Sequence, residues 1–248
     1  MCFASSCEDS DGDGSPDECA SDYDGILEVP SEYSSIQYAI YAASDGEEIL
    51  VSPGTYTSVD NVVINPLGKA ITIRATGTPE ETILDGQGVS IVVLCESGEG
   101  AGTIIEGFTI TNGSYHYGGG MRNDNSSPTI TNCTFSGNTS VLGAGMYNEY
   151  SSPTITNCTF MNNTAYDGGG MCNYFNSSPT LTDCIFTGNI AEYSGGGMYN
   201  FVSSSPTLTN CTFTGNSADY GGGIANASNC NCTLTDTTVC GNTPDQIY

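Results

Sequence analysis

Apolar positions recur along this chain every 25 to 27 residues, each time in the same short company. Four segments align without gaps: residues 126–138 (SSPTITNCTFSGN), 151–163 (SSPTITNCTFMNN), 177–189 (SSPTLTDCIFTGN) and 204–216 (SSPTLTNCTFTGN). A degenerate copy precedes them at 105–113 and another follows at 233–242. Between copies stands a second motif: GGGM at 118–121 and 168–171, GAGM at 143–146, GGGM at 195–198 and GGGI at 221–224. Two linked motifs repeating at one period mark a solenoid or an array, because each unit can bury its apolar side only against its neighbours. Glycine, threonine and proline in every unit exclude helical repeats, and 25–27 residues is too short for a propeller blade. The pattern predicts three short strands per turn, 129–131, 133–135 and 143–148 in the first full unit, with Asn132 as a one-residue bend in the left-handed region. Alternation turns Ile130, Cys133, Phe135 and Met146 inward, and each meets its copy one turn above at about 4.8 Å. Asn138, Asn163, Asn189, Asn216 and Asn242 form a further column whose amides can bond to one another and close the turn's backbone. Upstream, 49–56, 70–74 and 82–86 read as less regular opening turns. Ser34 as N-cap, followed by Ile36, Ala39, Ile40 and Ala43, predicts a helix over 34–43 that covers the first turn's open edge.

The FxxN motif (Phe135 to Asn138 and its copies) and the GGxM/I motif resemble the repeats of polymorphic outer membrane proteins, within the right-handed parallel β-helix, or pectin-lyase-like, superfamily. The likeness runs over 103–242. It implies an all-β, right-handed parallel β-helix of about eight turns with a short N-terminal capping helix, displayed at a surface. The run 29–56 resembles the opening of pectinesterase-like and other secreted β-helix proteins. The domain expectation is an acidic leader over 1–25 and a β-helix over 26–248.

Charge narrows the partners. Three Lys+Arg stand against 28 Asp+Glu in 248 residues, a net charge of −25. Nucleic acid and anionic lipid are excluded, since both are held by lysine and arginine. No apolar run approaches the roughly 18 residues of a membrane span. The start, Met1 to Cys7, has neither the basic nor the apolar part of a secretory signal. The composition nonetheless suits export, so an extracellular or cell-surface location is expected with the signal missing from this chain.

The leader carries candidate chemistry. Asp9, Asp11, Asp13 with Gly14, and Asp17 follow the opening DxDxDGxxD of a calcium loop, with Ser15 offering a carbonyl. It resembles type-3 thrombospondin and dockerin loops, which implies Ca2+. The twelfth position departs from them, with Ala20 where a carboxylate is needed and Asp22 or Asp24 as substitutes. Cys7 and Cys19 flank the loop and are the disulfide candidates. Parallel stacking aims the Cβ vectors of Cys133, Cys158, Cys184 and Cys211 the same way, so these read as core thiols. One bridge is expected among Cys230, Cys232 and Cys240.

No catalytic residue is expected. His116 reads as a surface residue. Lys69, Arg74 and Arg122 are the whole basic inventory, too few for the cationic cleft that proton abstraction from a uronate needs. A carbohydrate-active lyase or hydrolase would require a carboxylate pair about 5–10 Å apart in one groove. The primary expectation is a non-enzymatic structural or adhesive module with a glycan groove along its glycine corner. That groove is rimmed by Tyr117, Tyr166, Tyr193 and Tyr220 before the glycines and by Arg122, Tyr147, Cys172 and Tyr199 after each methionine. Asp167, Glu192 and Asp219 lie near it. Two other readings are an ice-binding face on Thr129/Thr131, Thr154/Thr156, Thr180/Thr182 and Thr207/Thr209, and a fibre formed by end-to-end self-association.

Overall fold

The computed structural model describes residues 25–58, 61–227, 229–244, 247 and 248. The calcium loop (Asp9, Asp11, Asp13, Ser15, Asp17) and the Cys7 and Cys19 pair lie outside these described residues.

The chain winds into stacked turns in which every strand pairs in parallel with its copy one turn away. Three sheets run along the stack, and a fourth of four strands lies in its middle turns. A threonine sheet of nine strands begins at Ile26–Val29 and ends at Thr233–Thr235. A phenylalanine sheet of eight runs from Gly54–Thr57 to Thr238–Val239, and a methionine sheet of seven from Val62–Ile64 to Ile224–Asn226. The fourth is not apparent in the sequence pattern. Ser114–Tyr117, Thr139–Leu142, Thr164–Asp167 and Ile190–Ser194 form a tyrosine sheet where the pattern suggests a turn. Its inward side chains are small ones such as Ala165 and Ala191, so no apolar alternation marks it. Four of the turns therefore have four strands rather than three.

Register is strict. Ile130, Ile155, Leu181, Leu208 and Leu234 pair in sequence along the threonine sheet. Phe135, Phe160, Phe186 and Phe213 stack with centroids 4.6, 4.6 and 4.3 Å apart and planes within 5°. Offset face-on stacking adds to their burial. The bends are as expected: Asn132, Asn157, Asp183 and Asn210 lie at φ 51 to 55°, where asparagine and aspartate are tolerated.

Polar ladders close the corners between sheets. The Nδ2 of Asn163 donates to Asn189 Oδ1 (2.9 Å) and to the Phe135 carbonyl (3.0 Å). Its own Oδ1 accepts from the Nδ2 (2.9 Å) and backbone N–H (3.0 Å) of Asn138. The same set recurs up to Asn242. Two further ladders carry no signal that the repeat alignment uses. Asn123, Asn148, Asn173, Asn200 and Asn226 chain amide to amide inside the methionine sheet at 2.8–2.9 Å. Ser126, Ser151, Ser177 and Ser204 each take the backbone N–H of the serine before them or, for the first, of Gly98.

Glycine is needed at the corner because successive turns approach too closely for a side chain. A Cβ on Gly145 would sit 2.4 Å from the Gly170 carbonyl oxygen. The helix α1 (Ile36–Ala42) buries Ile36, Ala39 and Ile40 on the first turn. Its N-cap is Ser35, not Ser34. The extended backbone of Ser35 lets its Oγ accept from Tyr38 N at 3.2 Å, one full turn on. Lys69 Nζ donates to the carbonyls of Ile40, Tyr41 and Ala43, closing the other end.

The ladder predicts a large cost for one amide. Asn163→Ala orphans donors of Asn138 and the Phe135 carbonyl in a dry core, so it should destabilise by about 3 kcal/mol or more, against under about 0.5 kcal/mol for Thr154→Ala on the surface. Urea unfolding of the two variants checks the ordering.

Candidate functional site

The glycine corner joins the tyrosine sheet to the methionine sheet, and its outer side is where aromatic rings collect. After each inward methionine or isoleucine the next residue points out, and these fall in register: Arg122, Tyr147, Cys172, Tyr199 and Ala225. Each leans on the first glycine of its own corner. A Cβ on Gly168 would meet Cys172 Cβ at 2.8 Å, and one on Gly195 would meet Tyr199 Cβ at the same distance.

Two of these residues do not rim a groove. Tyr147 is 2 % exposed and Cys172 1 %. They point outward, but neighbouring rings cover the site: Tyr117 stacks on Tyr147 at 5.2 Å, and Tyr174 lies 6.3 Å from it on the next strand. Nor do the tyrosines before the glycines form one file. Tyr117 shares a column with Leu142 and Asp167, and Ser194 with Tyr220 continues it. Tyr166 and Tyr193 stand one position earlier.

The rings sort into two rows. One runs Tyr117, Tyr147, Tyr174, Phe201 and Tyr199 over the methionine sheet. The other runs Tyr166, Tyr193, Tyr220 and Tyr248 along the tyrosine sheet, at centroid spacings of 5.9, 5.1 and 5.3 Å. Where the rows converge, the outward column ends on Ala225, and its small side chain leaves room. A pocket of about 270 Å³ opens there between Tyr193, Tyr220 and Tyr248 on one side and Tyr199 on the other, floored by Ser194, Ala225, Asn226 and Ala227. Glu192 and Tyr166 lie outside it on a shallower depression with Val141 and Ile190. Asp219 is exposed and does not line the pocket.

Sequence reasoning missed Tyr150, Tyr174, Phe175 and Phe201. They stand just before successive Ser-Ser-Pro or Ser-Ser-Ser-Pro stretches, so aromatic recurrence ahead of those prolines was the available signal. Tyr150 and Phe175 stack at 5.3 Å from left-handed backbone, φ 49 and 47°.

The electrostatics are those of a crowded acidic surface. Burial holds the Tyr147 hydroxyl far above the usual tyrosine range, and Glu149, which accepts its hydrogen bond, adds to this. Burial and then the Asp167 charge raise Tyr199 likewise. Asp167 is itself raised by burial, although the Ser194 N–H donates to it at 2.9 Å. Asp124 and Glu149 stand in register on neighbouring strands, and both are engaged, Asp124 with Arg122 at 2.6 Å and Glu149 with Tyr147. His116 is exposed, edge-on to Tyr117. Cys133, Cys158, Cys184 and Cys211 are buried thiols, as the stacking requires. Cys230, Cys232 and Cys240 are unbridged, against expectation. The Cys232 Sγ instead sits between Asn200 Nδ2 (3.0 Å) and Asn226 Oδ1 (3.2 Å), finishing the inner amide ladder. The threonine ladder is present in register, with Thr154, Thr180 and Thr207 exposed and Thr131, Thr156, Thr182 and Thr209 half-buried.

A family described as the right-handed β-helix region matches residues 90–248. The chain belongs to the right-handed β-helix family. No curated protein and no solved structure matches it. The family match fixes the hand of the winding and its superfamily and names no activity; among the described residues no helix of this β-helix is long and apolar enough to cross a membrane.

Asp167 gives a pH prediction. A carboxyl raised by folding favours the protonated state, so its contribution is complete below the ordinary value of 3.8 and is lost as pH rises through its folded value. Asp167→Asn should melt higher than the parent at pH 7, and the gap should close as pH falls towards 3.8. Thermal scans across that range check it.

Proposed function

We propose that this β-helix is a non-enzymatic, secreted or surface-displayed module that holds uncharged glycan chains in its tyrosine groove. The observation that carries the reading is the pocket between Tyr193, Tyr199, Tyr220 and Tyr248. Ring faces offer stacking surfaces to a sugar, while Ser194 and Asn226 supply the few polar groups that orient it. A net charge of −25 disfavours acidic polysaccharides. Likeness of the FxxN and GGxM/I repeats to those of polymorphic outer membrane proteins supports display at a surface. Engagement of Asp124 by Arg122 and of Glu149 by Tyr147 supports binding without turnover.

The calcium loop of the leader belongs to the same reading, as a peripheral module whose Ca2+ is held by Asp9, Asp11, Asp13, Asp17 and the Ser15 carbonyl. Calorimetric titration of the whole chain should show calcium uptake that Asp11→Ala with Asp13→Ala abolishes. Unchanged uptake refutes the loop.

A glycan array read with and without Ca2+ identifies the sugar, and tyrosine emission gives the affinity, since the chain has 15 tyrosines and no tryptophan. Tyr193→Ala and Tyr220→Ala should each weaken binding roughly tenfold, with Thr180→Ala unchanged. New reducing ends or unsaturated products from any bound polysaccharide would overturn the non-enzymatic reading.

A further inference from the structure

Bulky residues stand where the backbone favours asparagine. The corner that joins the methionine sheet to the threonine sheet needs a left-handed residue in each of four successive turns, and the register of the methionine strands lines these places up. Asn125 fills the first at φ 50°, a conformation that asparagine tolerates. The next three turns put Tyr150 (φ 49°), Phe175 (47°) and Val202 (51°) there. On left-handed backbone a Cβ crowds the carbonyl that follows it, which makes a bulky or β-branched residue an outlier. Burial does not offset this strain, because Tyr150 is 50 % exposed and Phe175 and Val202 are only half-buried. Strain of this kind persists where a side chain is held out for use.

The rings join into a track. Tyr150 stacks on Phe175 at 5.3 Å, and Phe175 meets Tyr174 edge-on at 4.2 Å. Tyr174 stacks on Phe201 at 5.3 Å, and Phe201 lies 5.7 Å from Tyr199. Tyr199 is a wall of the pocket. An unbroken aromatic path thus leaves the pocket, crosses the outer face of the methionine sheet and reaches the strained corner two turns earlier. All five rings keep part of their surface in solvent. Exposed Asn176 and Ser203 follow Phe175 and Val202 and supply hydrogen-bonding groups at the far end.

We infer that this track carries the continuing units of one glycan chain whose leading unit sits in the pocket. Resting on the glycan reading above, this makes the substrate class an extended, uncharged oligosaccharide and not a single terminal sugar. The path from Tyr199 to Tyr150 steps across two strand spacings of about 4.8 Å and three residues of about 3.3 Å, room for about three further units. The five rings carry no charge and continue the pocket wall, so they suit the same neutral chain. A net charge of −25 on each copy disfavours a second copy as the occupant.

The probes are length series, from single sugar to hexasaccharide, of neutral β-linked glucose, mannose, xylose and N-acetylglucosamine, titrated calorimetrically against the whole chain. In the series that binds, affinity should rise roughly tenfold from disaccharide to pentasaccharide. Phe175→Asn should remove that gain and leave the disaccharide affinity unchanged. Tyr150→Asn should reduce the gain as well and, since asparagine suits the bend, should melt no lower than the parent. Affinity that does not change with length overturns the inference and leaves the glycan reading standing, as does a gain that survives both exchanges. A lower melting temperature for Tyr150→Asn makes the ring a structural one and overturns it too. If no member of any series binds, both readings fall.

Discussion

Successive turns of this protein are locked by a repeated polar bond: the amide of one asparagine donating to the amide oxygen of its copy 25 to 27 residues on. Apolar columns of isoleucine, phenylalanine and methionine supply the drive to stack, but they would tolerate a slip, since one aliphatic chain sits on another about as well as on its neighbour. A buried amide does not slip, because each displaced donor would be left dry and unpaired. The inner ladder from Asn123 to Asn226 and the corner ladder from Asn138 to Asn242 therefore fix register on two sides of the turn. The cysteines fit the same scheme. Cys133 Sγ donates to the Thr131 carbonyl at 3.3 Å, and Cys158, Cys184 and Cys211 repeat the contact.

Strict register makes the outer surface a set of columns, and the aromatic groove arises from what each column carries. One position past each inward methionine or isoleucine holds Arg122, Tyr147, Cys172, Tyr199 and Ala225 in turn. Tyr147 is covered by rings from neighbouring turns and becomes part of the packing, whereas Tyr199 stays half-exposed as a wall of the pocket. The last and smallest leaves a hole. Extra residues enter where no amide ladder is broken. One lengthens the chain before the third Ser-Ser-Pro. Another, in the Ile190–Ser194 strand, appears as the register shift between Ala165 and Asp167.

The stack, its period and its inward residues were legible because identical residues recur at fixed intervals. Ile130, Cys133, Phe135 and Met146 are all sealed, and Asn132 takes the left-handed bend. The tyrosine sheet was hidden because alanine and serine face inward there, and small residues give no apolar rhythm. Tyr147 was misplaced for a different reason. Alternation correctly aims it away from the solenoid axis, but burial depends on Tyr117 and Tyr174, which reach it across the corner and from the next turn. Cys232 likewise reads as a bridge candidate until the ladder beside it is seen to end on its sulfur. Local pattern reports which side of a strand a residue faces. What lies over that side is set by turns 25 residues away.

The same repetition that stabilises the interior leaves the ends as the weak points. Every inner turn is covered above and below by its copy, so a terminal turn is missing half of its partners whatever its sequence. Terminal units of stacked repeats need a cover for this reason. At the first turn α1 supplies it, held by Lys69 on three helix carbonyls and by Gln37 exchanging hydrogen bonds with Asn65. In the turn from Thr233 to Tyr248 other groups make the contacts. Thr237 replaces the cysteine of its column, and its hydroxyl satisfies the Leu208 carbonyl at 3.2 Å. The backbone of Tyr248 bonds back to Ile224 and Asn226, adding a partial strand to the methionine sheet and setting its ring against Tyr220. The wall of the pocket and the partial strand beside Ile224–Asn226 are thus made by one residue, so the groove and that edge of the methionine sheet cannot be remodelled independently.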